Sequence, residues 1–99
     1  MRWYEGLYVG EGLAGKADTI RRNIEDGECP RFVYIITPAL NGSDLLDIRH
    51  GRDLEKPFLQ SKDLLIVGIA LGADEAAEVT AKIVAEHLHG GKLCLEGDQ

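Results

Sequence analysis

The run Asp63-Leu64-Leu65-Ile66-Val67-Gly68-Ile69-Ala70-Leu71-Gly72 passes directly into a helix-like stretch from Ala73 to His89, and this junction constrains the fold more than any other part of the chain. A nearly unbroken apolar run of strand length needs cover on both faces, as a central parallel strand has between helical layers. The helix that follows carries its own apolar stripe of Ala76, Val79, Thr80, Ile83, Val84 and Leu88, with Glu75, Glu78, Lys82 and Glu86 turned to water. Gly90-Gly91 stops it, and Lys92 to Glu96 adds an edge strand.

The upstream segments repeat this grammar. Trp3 to Gly10 is aromatic and branched enough for a short strand centred on Leu7 to Val9. Leu13, Ala17, Ile20 and Ile24 then recur on one helix face, Gly27 ends that helix, and Phe32 to Thr37 forms a second apolar strand closed by Pro38. Between Asn41 and Lys62 the pattern is irregular: Leu45 to Ile48 reads as a short strand, and Pro57 limits any helix over Arg52 to Gln60 to a turn or two. Strand, helix, strand taken twice predicts right-handed crossovers. The expected fold is one three-layer α/β domain over residues 1–99, with a short, mainly parallel sheet flanked by helices, half of a Rossmann-like arrangement.

At 99 residues there is room for one domain whose core is modest, so association with a second copy would help it. The net charge of −6 argues against nucleic acid, because Arg21-Arg22 sits among Asp18, Glu25 and Asp26 rather than in a basic patch. The longest apolar run is too short to span a membrane, and the first residues lack a signal-peptide core. Cys29 and Cys94 stand far apart with no metal-ligand or redox spacing, which fits two thiols in the reducing cytoplasm.

In a parallel sheet the carboxyl ends of the strands gather at one edge, where ligands bind. That edge would collect Gly10, Glu11 and Gly12 after the first strand, Thr37, Asn41 and Ser43 after the second, and Gly72 and Asp74 after the main one. Gly10-Glu11-Gly12-Leu13-Ala14-Gly15 matches the G-x-G-x-x-G pattern of dinucleotide sites. The acidic residue expected about 20 residues on is missing, however, and Glu11 puts a carboxylate where pyrophosphate would approach. A tight turn is the competing reading. Asp74 is placed to cap the long helix, using donors that a phosphate would need. Glu11 and Asp74 together suit a cation, an amine or a metal better than an anion, though two acids alone make a weak metal case.

Elsewhere, Asp47 to Asp53 is a compact charged patch around His50, and His87 and His89 lie near a helix end where terminal carbonyls would take them. No catalytic residue, metal site or cofactor is assigned. Tyr8-Val9-Gly10-Glu11, Leu45-Leu46-Asp47-Ile48, Leu65-Ile66-Val67-Gly68-Ile69-Ala70 and Glu75-Ala76 make the chain similar to a family of small uncharacterised proteins from Firmicutes bacteria. That resemblance implies a cytosolic Rossmann-like domain and brings no catalytic residue with it. Two functional readings follow. One is a non-enzymatic, self-associating binding module, with Trp3, Tyr4, Tyr8 and Phe58 as interface aromatics. The other is a nucleotide- or metabolite-binding enzyme or switch working at the strand-end edge.

Overall fold

The computed structural model describes residues 1–40 and 45–95. Strand β1 (Arg2–Val9) leads through a 3-10 turn (Glu11–Leu13) into helix α1 (Ala17–Glu25), followed by β2 (Val33–Pro38) and β3 (Leu46–His50). A second 3-10 segment (Gly51–Glu55) and the single-turn helix α2 (Pro57–Gln60), with its proline at the start where no N–H is needed, lead into β4 (Leu65–Leu71). Helix α3 (Ala73–His87) and the two short strands β5 (Leu88–His89) and β6 (Lys92–Leu93) complete the described chain.

β4 lies inside a four-stranded sheet of order β1-β4-β2-β3. Its residues Leu65, Val67 and Ala70 pack with Tyr4, Ile36 and the α3 residues Ala76, Val79 and Ile83. Ile66 and Ile69 pack on the other side with Val33, Ile35, Leu13 and the α1 residues Ile20 and Ile24. Gly68 sets how closely α3 approaches: a methyl group there would stand 3.1 Å from both Ile36 Cδ1 and Val79 Cγ1. β1 follows β4 in register at Arg2 and Trp3 and again at Tyr8 and Val9, while Tyr4 to Leu7 bulge out opposite Val67 alone. The bulge lets Trp3 and Leu7 reach the α1 side while Tyr4 and Tyr8 reach the α3 side.

The expected mainly parallel, Rossmann-like sheet is not what forms. Only β1 and β4 are parallel, and β2 runs antiparallel to both of its neighbours. The Phe32 carbonyl accepts a 2.9 Å hydrogen bond from the Gly72 N–H, which places the start of β2 beside the end of β4 and fixes the opposite direction. An apolar run reports burial on two faces and carries no sign of direction, so the sequence pattern suits either pairing.

Three local expectations also change. Leu13 sits in the 3-10 turn rather than in α1, yet it is buried as the spacing required. Phe32 stays outside β2 and is 66% exposed. Gly90-Gly91 does more than end α3: with φ of 59° and 79° it makes a two-residue hairpin turn, and β6 pairs with β5 instead of joining the main sheet.

Replacing Gly68 with Val forces α3 off the sheet and is expected to cost about 1–3 kcal/mol in urea unfolding with little change in the slope. Wild-type stability in that variant would mean that the α3 layer tolerates displacement.

Candidate functional site

The reversal of β2 divides the expected ligand edge. Gly10, Glu11, Gly12, Gly72 and Asp74 remain together at the carboxyl end of β4, since the Gly10 N–H donates to the Ile69 carbonyl at 2.9 Å. Thr37 lies at the far end of β2, towards the opposite edge of the sheet, and is fully buried with its hydroxyl lacking a hydrogen-bond partner. Asn41 and Ser43 fall outside the described residues.

What fills the glycine-rich turn is Glu75. Its carboxylate accepts the Gly12 N–H at 2.7 Å and the Leu71 N–H at 2.6 Å. A side chain at Gly10 would collide with that carboxylate, and one at Gly12 would press on Leu71 Cβ at 2.8 Å. The spacing that resembles a dinucleotide motif therefore receives an internal carboxylate. Glu75 does not simply face water. The cap position of α3 is Gly72, with no side-chain cap, so Asp74 is not the cap; it stands in the first turn, exposed, with its charge near the positive helix end.

A second cluster joins β1 to the end of α3. The Tyr8 hydroxyl is 2.5 Å from Glu86 Oε1 and 2.8 Å from His87 Nε2, while His87 Nδ1 is 3.1 Å from the Cys94 carbonyl. His87 thus bonds across to β1 and to the segment after β6, rather than to the terminal carbonyls of its helix. Burial first, and then the hydrogen bond and charge of Glu86, push the Tyr8 hydroxyl up to about 12. It is a proton donor to a carboxylate, not a base. The charged patch around His50 does not converge: His50 stacks on Tyr34 at 4.4 Å, Arg49 pairs with Asp47 at 2.8 Å, and Lys56 pairs with Asp53 at 3.2 Å.

Among the described residues a concave feature lies elsewhere, between the end of α1, the Gly51–Glu55 turn and α2. A cavity of about 220 Å³ opens there over a floor of Ile24, Cys29, Leu54, Leu59 and Leu64. Glu25, Glu55, Gln60 and Lys62 stand at its exposed rim. Cys29 is buried, and burial pushes its thiol up to about 11, with Arg52 opposing that rise, so the sulfur stays protonated at neutral pH. Gly51 is required beside it, because a side chain at that position would overlap Cys29 Sγ. These residues come from distant stretches of chain, and no spacing rule links them.

Among the described residues no group of three His, Cys, Asp or Glu is arranged to hold a metal ion, and no helix is long and apolar enough to cross a membrane. No family model, curated protein or solved structure matches the chain.

Glu75→Ala removes the acceptor of two backbone donors and is expected to cost about 1–3 kcal/mol by chemical denaturation, whereas Asp74→Asn stays within about 0.5 kcal/mol. Equal effects from the two would remove the special role of Glu75. Alkali provides a separate check. The Tyr8 proton is held more tightly in the fold than in the unfolded chain, so the stability it contributes is intact below pH 10.0 and is lost as pH rises to about 12. Absorbance titration should show one late-ionising tyrosine that disappears in Tyr8→Phe.

Proposed function

We propose that the protein is a non-catalytic binding module that takes a small, largely apolar molecule into the cleft between α1 and α2. The observation that carries this reading is the cavity of about 220 Å³ with its floor of Ile24, Cys29, Leu54, Leu59 and Leu64. Its size is below the roughly 300–1,000 Å³ of pockets for drug-sized ligands, so the occupant has only a handful of heavy atoms. At the rim the carboxylates of Glu25 and Glu55 face the ammonium of Lys62, while the Met1 ammonium is held by Asp63 at 3.4 Å, and this balance favours a ligand whose polar end is a hydrogen-bond donor or an amine.

A nucleotide-dependent enzyme or switch at the glycine edge is disfavoured by the same physics that would have supported it. The donor a phosphate would seek at Gly12 is already engaged by Glu75, and a second anion there meets that carboxylate. A protonated Cys29 likewise supports binding over nucleophilic chemistry. Both cysteines are free, which supports a reducing, cytoplasmic setting.

Indole and n-butylamine are suitable probes. In methyl-resolved NMR, at least one of them is expected to shift the Ile24, Leu54, Leu59 and Leu64 signals together, and Leu54→Phe, which fills the cleft from a half-buried position, should abolish the response. A probe at a hundred times its dissociation constant adds about 2.7 kcal/mol of stability, enough for a clear thermal shift. Silence of those methyl groups towards both probes at saturating concentration would overturn the assignment.

A further inference from the structure

We propose that β3 is the interface of a symmetric dimer, in which the strand pairs antiparallel with β3 of a second copy about an axis at Ile48. β3 is the last strand of the sheet order β1-β4-β2-β3, and among the described residues no strand pairs with its outer side. The direction of its backbone groups follows from the ladder. The Ala39 N–H donates to the Leu45 carbonyl at 3.3 Å, one step beyond the facing pair Pro38 and Leu46. Bonded and non-bonded pairs alternate in an antiparallel ladder, so Thr37 faces Asp47 and Ile35 faces Arg49 as bonded pairs. Pro38, which has no N–H to give, falls in a non-bonded pair as it must. Leu46, Ile48 and His50 therefore direct their N–H and C=O groups outwards, which is the donor and acceptor row that another strand requires.

The side chains select which strand that is. Leu46-Asp47-Ile48-Arg49-His50 laid antiparallel on itself about Ile48 sets Ile48 against the partner's Ile48, and Asp47 against the partner's Arg49 on each side of the axis. The Ile48 pair is the hydrogen-bonded one. The two Asp47 to Arg49 pairs are non-bonded pairs, where side chains approach most closely. Ile48 is 42% exposed in the monomer despite facing the same side as Ile36. Arg49 Nε is buried without a hydrogen-bond partner, and Asp47 and Arg49 already hold each other at 2.8 Å. Dimerisation joins those two pairs into one alternating network of four charges and merges two sheets into one.

The test is sedimentation velocity of the full chain over a concentration series. Five residues of strand make a small interface, so the dimer is expected at micromolar rather than nanomolar concentration. Ile48→Pro removes an outward N–H while leaving every bond to β2, and it should remain monomeric with an unchanged circular dichroism spectrum. Ile48→Lys provides the same test without altering the backbone. Asp47→Arg places two cations opposite each other and should weaken association by about tenfold or more. The double exchange of Asp47→Arg with Arg49→Asp restores the opposed charges and with them the dimer. A wild-type chain that stays monomeric throughout overturns the proposal, including the case in which the edge receives some other extended peptide. A dimer that survives both Ile48 variants, or an exchange that fails to restore association, overturns it as well.

Discussion

Burial of β4 from both faces is the constraint on which the rest of the structure depends. Leu65, Ile66, Val67 and Ile69 each gain roughly 1.5–3 kcal/mol on leaving water, which outweighs the backbone ordering of a strand only if both sides are covered. One helix cannot do this. α3 covers one side because Gly68 leaves room for Val79 and Ile83 to approach, and α1 with Leu13 covers the other. The two layers, the position of β4 between β1 and β2, and the bulge that sends alternate β1 aromatics to opposite sides all serve that single requirement.

Glu75 then determines what the end of β4 can do. In a capping box, a glutamate at the third helical position turns back to the N–H of the cap residue. Here the same position reaches one residue further, to Leu71, and across to Gly12, tying the turn after β1 to the start of α3. The glycines at positions 10 and 12 give that carboxylate room. A helix start of this kind, with its positive end and neighbouring glycines, resembles an anion site in sequence because it is one; the anion belongs to the protein itself.

Element types were largely legible in the sequence, since apolar periodicity responds directly to burial. The two long elements, β4 and α3, and the shorter α1 and β2 follow their apolar spacing closely. Strand direction was not legible. Phe32 to Thr37 has the same apolar profile whether it runs with β4 or against it, and what differs is the ladder itself, which pairs Val33 with Leu71 and Ile36 with Gly68 and is continued by the Gly72 to Phe32 hydrogen bond. That one inversion carried Thr37 away from Gly10 and Gly72 and broke up the anticipated edge. The four aromatics considered for an interface are spread over different environments. Tyr4 is buried, Trp3 and Tyr8 pack against the core with Arg21 stacked over Trp3 at 5.0 Å, and Phe58 alone of the four is largely exposed. The cleft residues had no signal to find, because Ile24, Cys29, Leu54 and Leu64 are each ordinary core positions in their own segments.

An exposed antiparallel edge ordinarily invites any extended chain, and proteins guard such edges with proline, bulges or charges. β3 carries neither proline nor bulge, and its guard is the alternation of Asp47 and Arg49. An apolar partner strand would cover both charges without answering either, and a uniformly charged one would oppose one of the two. A strand whose charge order reverses when it is turned antiparallel answers both at once, and this strand has that property with respect to itself. In the proposed dimer the same two residues would repel general strand addition and admit a second copy, a selectivity that a purely apolar edge centred on Ile48 would lack.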